Sequence, residues 1–234
     1  MNVLIVHAHP EPKSFCSALF SLAQRTLEDL GHNVKTSDLY GMNFNPIVSA
    51  QDFSDRANPD YLVYALEQRH AQETGTLAPD IKAELDKLLW CDLLILNFPL
   101  FWFSVPAIMK GWFDRVLVSG VTYGGKRFYD RGGLAGKKAM ATLTLGGREH
   151  MLAEDGVHGP LEDMLRPILR GTLYYTGMEV LPPFVAWHVP YVNDAARKEY
   201  LDAYAARLGR IDRLKPLTFP SLDDFDDRLH PKRR

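Results

Sequence analysis

The chain has 234 residues, a formal net charge of −2, 46% apolar residues and 24% charged residues. That composition supports a sizeable core and excludes a globally disordered chain. With no basic excess and no lysine/arginine stripe interleaved with aromatics, it also excludes nucleic acid as an expected partner.

The two cysteines, Cys16 and Cys91, stand in no metal-ligand spacing and are too few for a disulfide framework. Cys91 opens an apolar run and reads as a small buried hydrophobe. No apolar run approaches about 18 residues, so no membrane insertion is expected. The N-terminal stretch does not read as a signal peptide, and a reducing, cytoplasmic setting is expected.

The elements follow in chain order. NVLIVHA (2–8) is a near-continuous run of β-formers, the pattern of a strand buried on both faces in a parallel sheet. SFCSALFSLAQRTLEDLG predicts a helix with Ser14 as N-cap and Gly31 closing it. Phe15, Ala18, Leu19, Leu22, Ala23, Thr26 and Leu30 fall on one stripe of that helix. HNVKTSDL (32–39) reads as a shorter second strand. Residues 41–80 show no strong period and read as a long loop, with a helix within LVYALEQRHAQETG. Such a loop in a compact α/β domain is functional or interfacial.

IKAELDKLLWC (81–91) predicts a helix and DLLILNFP (92–99) a second buried strand. A helix over 105–118 follows, with Pro106 in its first turn. KKAMATLTLGG (137–147) is a strand ending in a glycine pair. Residues 161–177 predict a helix bent near Pro167. The last strand lies within 178–189, and 193–211 is the closing helix, capped by Asn193 or Asp194. The tail reads as extended packing followed by a frayed basic end.

Strands alternating with helices imply an α/β fold: a doubly wound, five-stranded parallel sheet of flavodoxin-like order. Residues 1–211 form the domain and 212–234 a C-terminal extension. In such sheets the ligand sits outside the carboxyl ends of the strands, at the topological switch point. Three loops are therefore candidates: 9–14, 99–104 and 144–158.

The first loop has neither the GxGxxG fingerprint nor a Walker A sequence. It has His9, Lys13 and Ser14 at a helix N-terminus, where unpaired N–H groups suit a phosphate; Ser14 alone could be only a cap. A phosphatase loop fails because Leu22 stands six residues after Cys16, where arginine is needed. A phosphoacceptor site fails because His7 and His9 end the first strand, where carboxylates are needed.

The second loop places Phe101, Trp102 and Phe103 in a row. Either they are core residues or they form a wall on which a flat heteroaromatic ligand stacks. The wall is the favoured reading, with one of the three in the core. In the third loop Gly146 and Gly147 allow close backbone approach, or simply a tight turn. His158, within DGVHGP, lies at the mouth of the expected pocket. His150 and His158 have no partner at metal-ligand spacing.

Three stretches, SDLYGMNFNPI (37–47), NFPLFWFSVPAIMKGWFDRV (97–116) and TLGG…GVHG (144–159), closely resemble the NAD(P)H:quinone acceptor oxidoreductases, the DT-diaphorase family of flavoproteins. The resemblance runs from about residue 2 to 211. It implies a homodimer that binds FAD at the strand ends, takes hydride from NADH or NADPH, and passes two electrons to a small-molecule quinone by a ping-pong mechanism. By position it implies that His9, Lys13, Ser14, Phe15 and Cys16 follow the diphosphate and ribityl chain. Pro99, Leu100, Phe101, Trp102 and Phe103 would line the flavin ring. Thr144, Leu145, Gly146 and Gly147 would meet its polar edge, and Arg197 the adenosine end. Tyr123, Tyr175 and His158 would border the substrate together with Trp102, Phe103 and the glycine pair, partly across the dimer interface. His158 and Tyr123 would be catalytic, with His158 supplying a proton.

The chain departs from the family at three points. Leu152 stands where family members carry a tyrosine working with the histidine, so His158 acts alone or with a neighbour such as Glu154. Gly125 replaces a second tyrosine and opens the pocket. The late cysteine of a structural metal site is missing. Alternatives on the same scaffold are an FMN-dependent azo- or nitro-reductase and a flavoprotein subunit regulating a potassium-efflux system. A non-flavin nucleotide-binding module would require the aromatic loop to be core.

Overall fold

The computed structural model describes residues 1–232. Five strands, β1 (Asn2–His7), β2 (Asn33–Asp38), β3 (Leu93–Pro99), β4 (Lys138–Thr144) and β5 (Glu179–Ala186), form one sheet in the order β2-β1-β3-β4-β5. Every pairing is parallel. Strands covered on both faces have no polar side, which is why β1 and β3 read as continuous apolar runs.

The alternation of side chains sorts those runs between two cores. Val3, Ile5, Leu93 and Ile95 pack toward α1 (Phe15–Asp29) and α6 (Asp194–Leu208). Leu4, Val6, Leu94, Leu96 and Phe98 pack on the opposite side, toward α3 (Pro79–Trp90), α4 (Ala107–Val116) and α5 (Leu161–Ile168). Trp112 on α4 is fully buried there and donates its indole N–H to Glu84 Oε2 at 2.8 Å. Each large apolar side chain buried this way stabilises the fold by roughly 1.5–3 kcal/mol.

Several boundaries differ from expectation. α1 buries Cys16, Leu19, Ala23 and Leu27 rather than the stripe through Thr26 and Leu30, and Leu30 is exposed. α4 begins at Ala107, so Pro106 is its cap and not part of its first turn. The helix expected over 161–177 is α-helical only to Ile168 and continues as a π-helical segment, Leu169–Tyr174. Pro167 lacks an N–H, and the widened turn lets Thr172 Oγ1 bond the Pro167 carbonyl at 3.1 Å. β5 carries Pro182 and Pro183 because it is an edge strand, and its register with β4 shifts between Met140 and Thr142.

The long segment after β2 holds α2 (Tyr64–Thr74), as expected, and is pinned by one arginine. Arg115 on α4, 3% exposed, donates to Asp52 Oδ1 at 2.9 Å, to Asp80 Oδ2 at 2.5 Å and to the Asn45 carbonyl at 2.9 Å. The Tyr64 hydroxyl donates to Asp52 at 2.6 Å. The tail packs on the domain: Leu217 N–H bonds the Val180 carbonyl, and Phe219 stacks on Tyr174. Of the basic end expected to fray, Arg233 and Arg234 lie outside the described residues. Among the described residues, no helix is long and apolar enough to cross a membrane and no group of side chains could hold a metal ion.

Candidate active site

The three loops expected at the switch point meet around a cleft of about 590 Å³. The first wall is the turn from β1 into α1, formed by His9, Lys13, Ser14, Phe15 and Cys16. Ser14 caps α1, its Oγ accepting from Ser17 N–H at 3.1 Å. The N–H groups of Phe15 and Cys16, in the first helical turn, have no acceptor within the helix and carry its partial positive charge. Lys13 is exposed at the rim. His9 Nδ1 lies against the Glu11 backbone, 3.0 Å from its N–H and 3.1 Å from its carbonyl oxygen, which holds the ring on the turn. Burial pushes the His9 pKa below the usual histidine value, against the pull of Glu11. Burial also pushes the Cys16 thiol up to about 12, despite hydrogen bonds with Thr144 and Asn97, so Cys16 is wall and not nucleophile.

The second wall answers whether the aromatic row is core. Phe101 and Ser104 exchange two backbone hydrogen bonds of 3.0 Å and close a two-residue turn. Trp102 and Phe103 at its tip have φ of 50° and 58°. Left-handed backbone at bulky residues costs on the order of 1–3 kcal/mol each and marks sites where function dictates shape. The side chains are thrown outward: Phe101 is 45% exposed, Trp102 94% and Phe103 41%. None of the three is in the core, so the expectation that one would be is corrected, and the core-only reading behind a non-flavin module fails with it.

Pro99, Leu100 and Phe101 line the main cleft. Trp102 and Phe103 line an adjoining hollow of about 240 Å³ with Gly147, Leu152 and His158; the two spaces share Leu100, Leu145 and Gly146. His158 is half-buried, with its ring edge-to-face on Phe103 at 5.4 Å.

The third wall is Thr144, Leu145 and Gly146. Its carbonyls are tied back to the loop after β5: His188 Nδ1 bonds the Gly146 oxygen at 2.7 Å, and His188 N–H donates to the Gly147 oxygen at 2.9 Å. The N–H groups of Gly146 and Gly147 have no partner among the described residues. Leu152 crowds this loop, since a Cβ on Gly147 would meet its Cδ1 at 3.1 Å.

A fourth wall was not foreseen. Val189 and Pro190 close the remaining side of the cleft with Arg197, which donates to the Val189 oxygen at 3.3 Å and pairs with Asp194 at 2.7 Å. The rule that ligands sit at strand carboxyl ends applies equally to the loop after the last strand and could have found them.

Tyr123 and Tyr175 do not join the cleft within one chain. They pack at 5.8 Å in a separate groove of about 410 Å³ lined also by α2 and α4. His150 is exposed and lines neither space.

Sheet order and cleft together define an α/β protein of the flavodoxin-like class, and the family model for the flavodoxin-like fold matches residues 1–208. The chain is 42% identical over 217 residues to the mouse ribosyldihydronicotinamide dehydrogenase [quinone], covering 92% of this chain and 94% of that one. It is 40% identical over 226 residues to the rat NAD(P)H dehydrogenase [quinone] 1, covering 96% and 82%. A Klebsiella pneumoniae protein described as a quinone reductase superposes with a TM-score of 0.94 at 37% identity, covering 99% of this chain and 94% of that one. The chain belongs to the NAD(P)H:quinone oxidoreductase family.

Proposed function

We propose that the chain is a flavin-dependent NAD(P)H:quinone oxidoreductase that binds FAD, works as a homodimer and operates in the cytoplasm. The observation that carries this is the strained turn holding Trp102 and Phe103 out of the core beside the unpaired N–H groups of Gly146 and Gly147. A flat apolar wall with two donors at its edge fits a ring system that has an apolar face and a polar rim.

The other walls fit the rest of a flavin nucleotide. The α1 N-terminus and Lys13 suit its phosphates, and Arg197 suits the distal end of a dinucleotide. A flavin held there would supply hydride transfer between NADH or NADPH and a quinone, and a single slot used by both would make the kinetics ping-pong. Gly146 and Gly147 N–H groups stabilise negative charge at the ring's polar edge. His158 makes no ring hydrogen bond among the described residues and is free to give a proton from a ring nitrogen to the quinone oxygen. With Leu152 in place of a tyrosine, no hydroxyl from that position shares the task.

The homodimer is supported by the outward aromatics and by the Tyr123–Tyr175 groove, which a second copy would bring to the substrate side. Two buried free thiols, Cys16 and Cys91, suit a reducing compartment. In this reading residues 1–211 are the catalytic domain and 212–234 an extension, whose Leu217 and Phe219 pack on it.

The test is a visible spectrum of the purified protein, identification of the released chromophore, and anaerobic addition of NADH or NADPH followed by a quinone. Released FAD that bleaches and is restored by quinone is the expected result. Released FMN would favour the azo- or nitro-reductase alternative, and a protein that takes up no flavin would reject the proposal. A monomeric mass in solution would reject the dimer.

A further inference from the structure

A row of polar residues crosses the buried sheet just beneath the cleft. Asp38, His7, Asn97 and Thr142 are register partners on β2, β1, β3 and β4. His7 and Asn97 interrupt otherwise apolar runs, and both are almost fully buried. Neither is needed to fill space, since the neighbouring positions do that with Val, Ile and Leu.

The proton order in this cluster is forced. The Cys16 carbonyl can only accept, so Asn97 Nδ2 donates to it at 3.0 Å and sends its other hydrogen to His7 Nδ1 at 2.8 Å. His7 Nδ1 is therefore the acceptor, and Nε2 carries the hydrogen that goes to Ser17 Oγ at 3.1 Å. Ser17 Oγ donates in turn to the Glu11 carbonyl at 3.0 Å, while Ser17 N–H is held by Ser14 Oγ. The ring stacks on Phe20 at 4.5 Å with the planes 5° apart. These bonds link β3 through β1 to the turn that opens α1, where the Ser17 and Ser14 hydroxyls also pair at 2.9 Å.

We infer that neutral His7 is a positioning residue for that turn: through Ser17 and the Glu11 carbonyl it fixes the first-turn N–H groups that hold the cofactor's phosphate. The inference rests on the flavin reading above. A second proton on His7 would set Nδ1–H against Asn97 Nδ2–H. Turning the amide to relieve this would point Asn97 Oδ1 at the Cys16 carbonyl. The titratable groups facing the ring are Asp38 from β2, which favours protonation, and His9 from the following loop, which opposes it. α1 and β3 present Ser17, Phe20 and Asn97 to the ring, and the Cys16 thiol of α1 lies 3.4 Å from the same Asn97 Nδ2.

The test compares FMN with riboflavin, which differ by the phosphate alone. Dissociation constants are measured by fluorescence quenching on flavin-free full-length protein. His7→Phe keeps the ring and its stack but loses both hydrogen bonds; Ser17→Ala cuts the link to Glu11. Both should reduce the preference for FMN over riboflavin by about tenfold, the equivalent of losing a hydrogen bond to a charged site, with riboflavin affinity unchanged. His7→Gln, whose amide reaches Ser17 Oγ, should restore most of the preference. An unchanged ratio in His7→Phe would overturn the inference. An equal loss for both flavins, or failure of both variants to fold, would overturn it too and assign the cluster to stability alone. A wild-type protein that binds neither flavin would instead reject the flavin reading, and the inference with it.

Discussion

Acidification measures what the buried His7 ring contributes. In the folded protein burial lowers its pKa from 6.5 to about 4, outweighing the attraction of Asp38. Between those two values the unfolded chain binds a proton that the folded chain refuses. The contribution is therefore fully present above about pH 6.5 and is lost as the pH falls toward 4. Each tenfold ratio is worth about 1.4 kcal/mol, so the span corresponds to about 3 kcal/mol, most of it gone by about pH 4.5. That is a large fraction of the 5–15 kcal/mol typical of a domain. His9 and His32 also bind protons less readily in the folded state, so His7 must be isolated by difference. Urea unfolding of the wild type and His7→Phe between about pH 7 and pH 4.5 does this. The variant is the less stable at neutral pH, and the gap should close by about 2–3 kcal/mol at the acid end. Two curves that stay parallel would refute the argument, because they would mean that His7 titrates alike in both states.

Gly111→Ala should lower stability by about 2–3 kcal/mol in calorimetry, because the added Cβ would lie 2.2 Å from the Pro46 carbonyl oxygen, a backbone contact that cannot rotate away. Asp52→Ala leaves Arg115 buried with only part of its compensation and frees the Tyr64 hydroxyl; a loss of about 3–5 kcal/mol and faster proteolysis within residues 41–63 are expected. His158→Gln should slow flavin reoxidation by quinone in stopped flow by about 100-fold while leaving flavin content unchanged; a reoxidation rate equal to wild type would remove His158 from the proton transfer.

The order of elements was legible in the sequence because apolar period and cap residues are local signals. β1, β3 and β4 read as continuous β-forming runs, and Ser14 and Asn193 cap their helices as expected. The loops of the cleft were legible too, since a parallel sheet puts the loops after its strands at one edge and the chain lists them in turn. Finer errors trace to signals that local reading does not carry. The stripe on α1 was displaced because adjacent stripes of one helix are both apolar, and only the sheet decides that Leu27 faces in and Leu30 out.

The class of fold, the three loops and the residue types available at them follow from periodicity and order along the chain, and so are written into the amino-acid order. Tertiary structure decided which of those residues meet. Phe101, Trp102 and Phe103 could be wall or core until the Phe101–Ser104 turn placed two of them in left-handed backbone, at a cost that only the surrounding contacts can sustain. Tyr123 and Tyr175, expected to border the substrate with His158 partly across a dimer interface, stand in another groove of the same chain. His7 and Asn97 lie ninety residues apart and form a hydrogen bond only because β1 and β3 pair in register; proximity across a sheet is fixed by strand pairing, which no local pattern encodes.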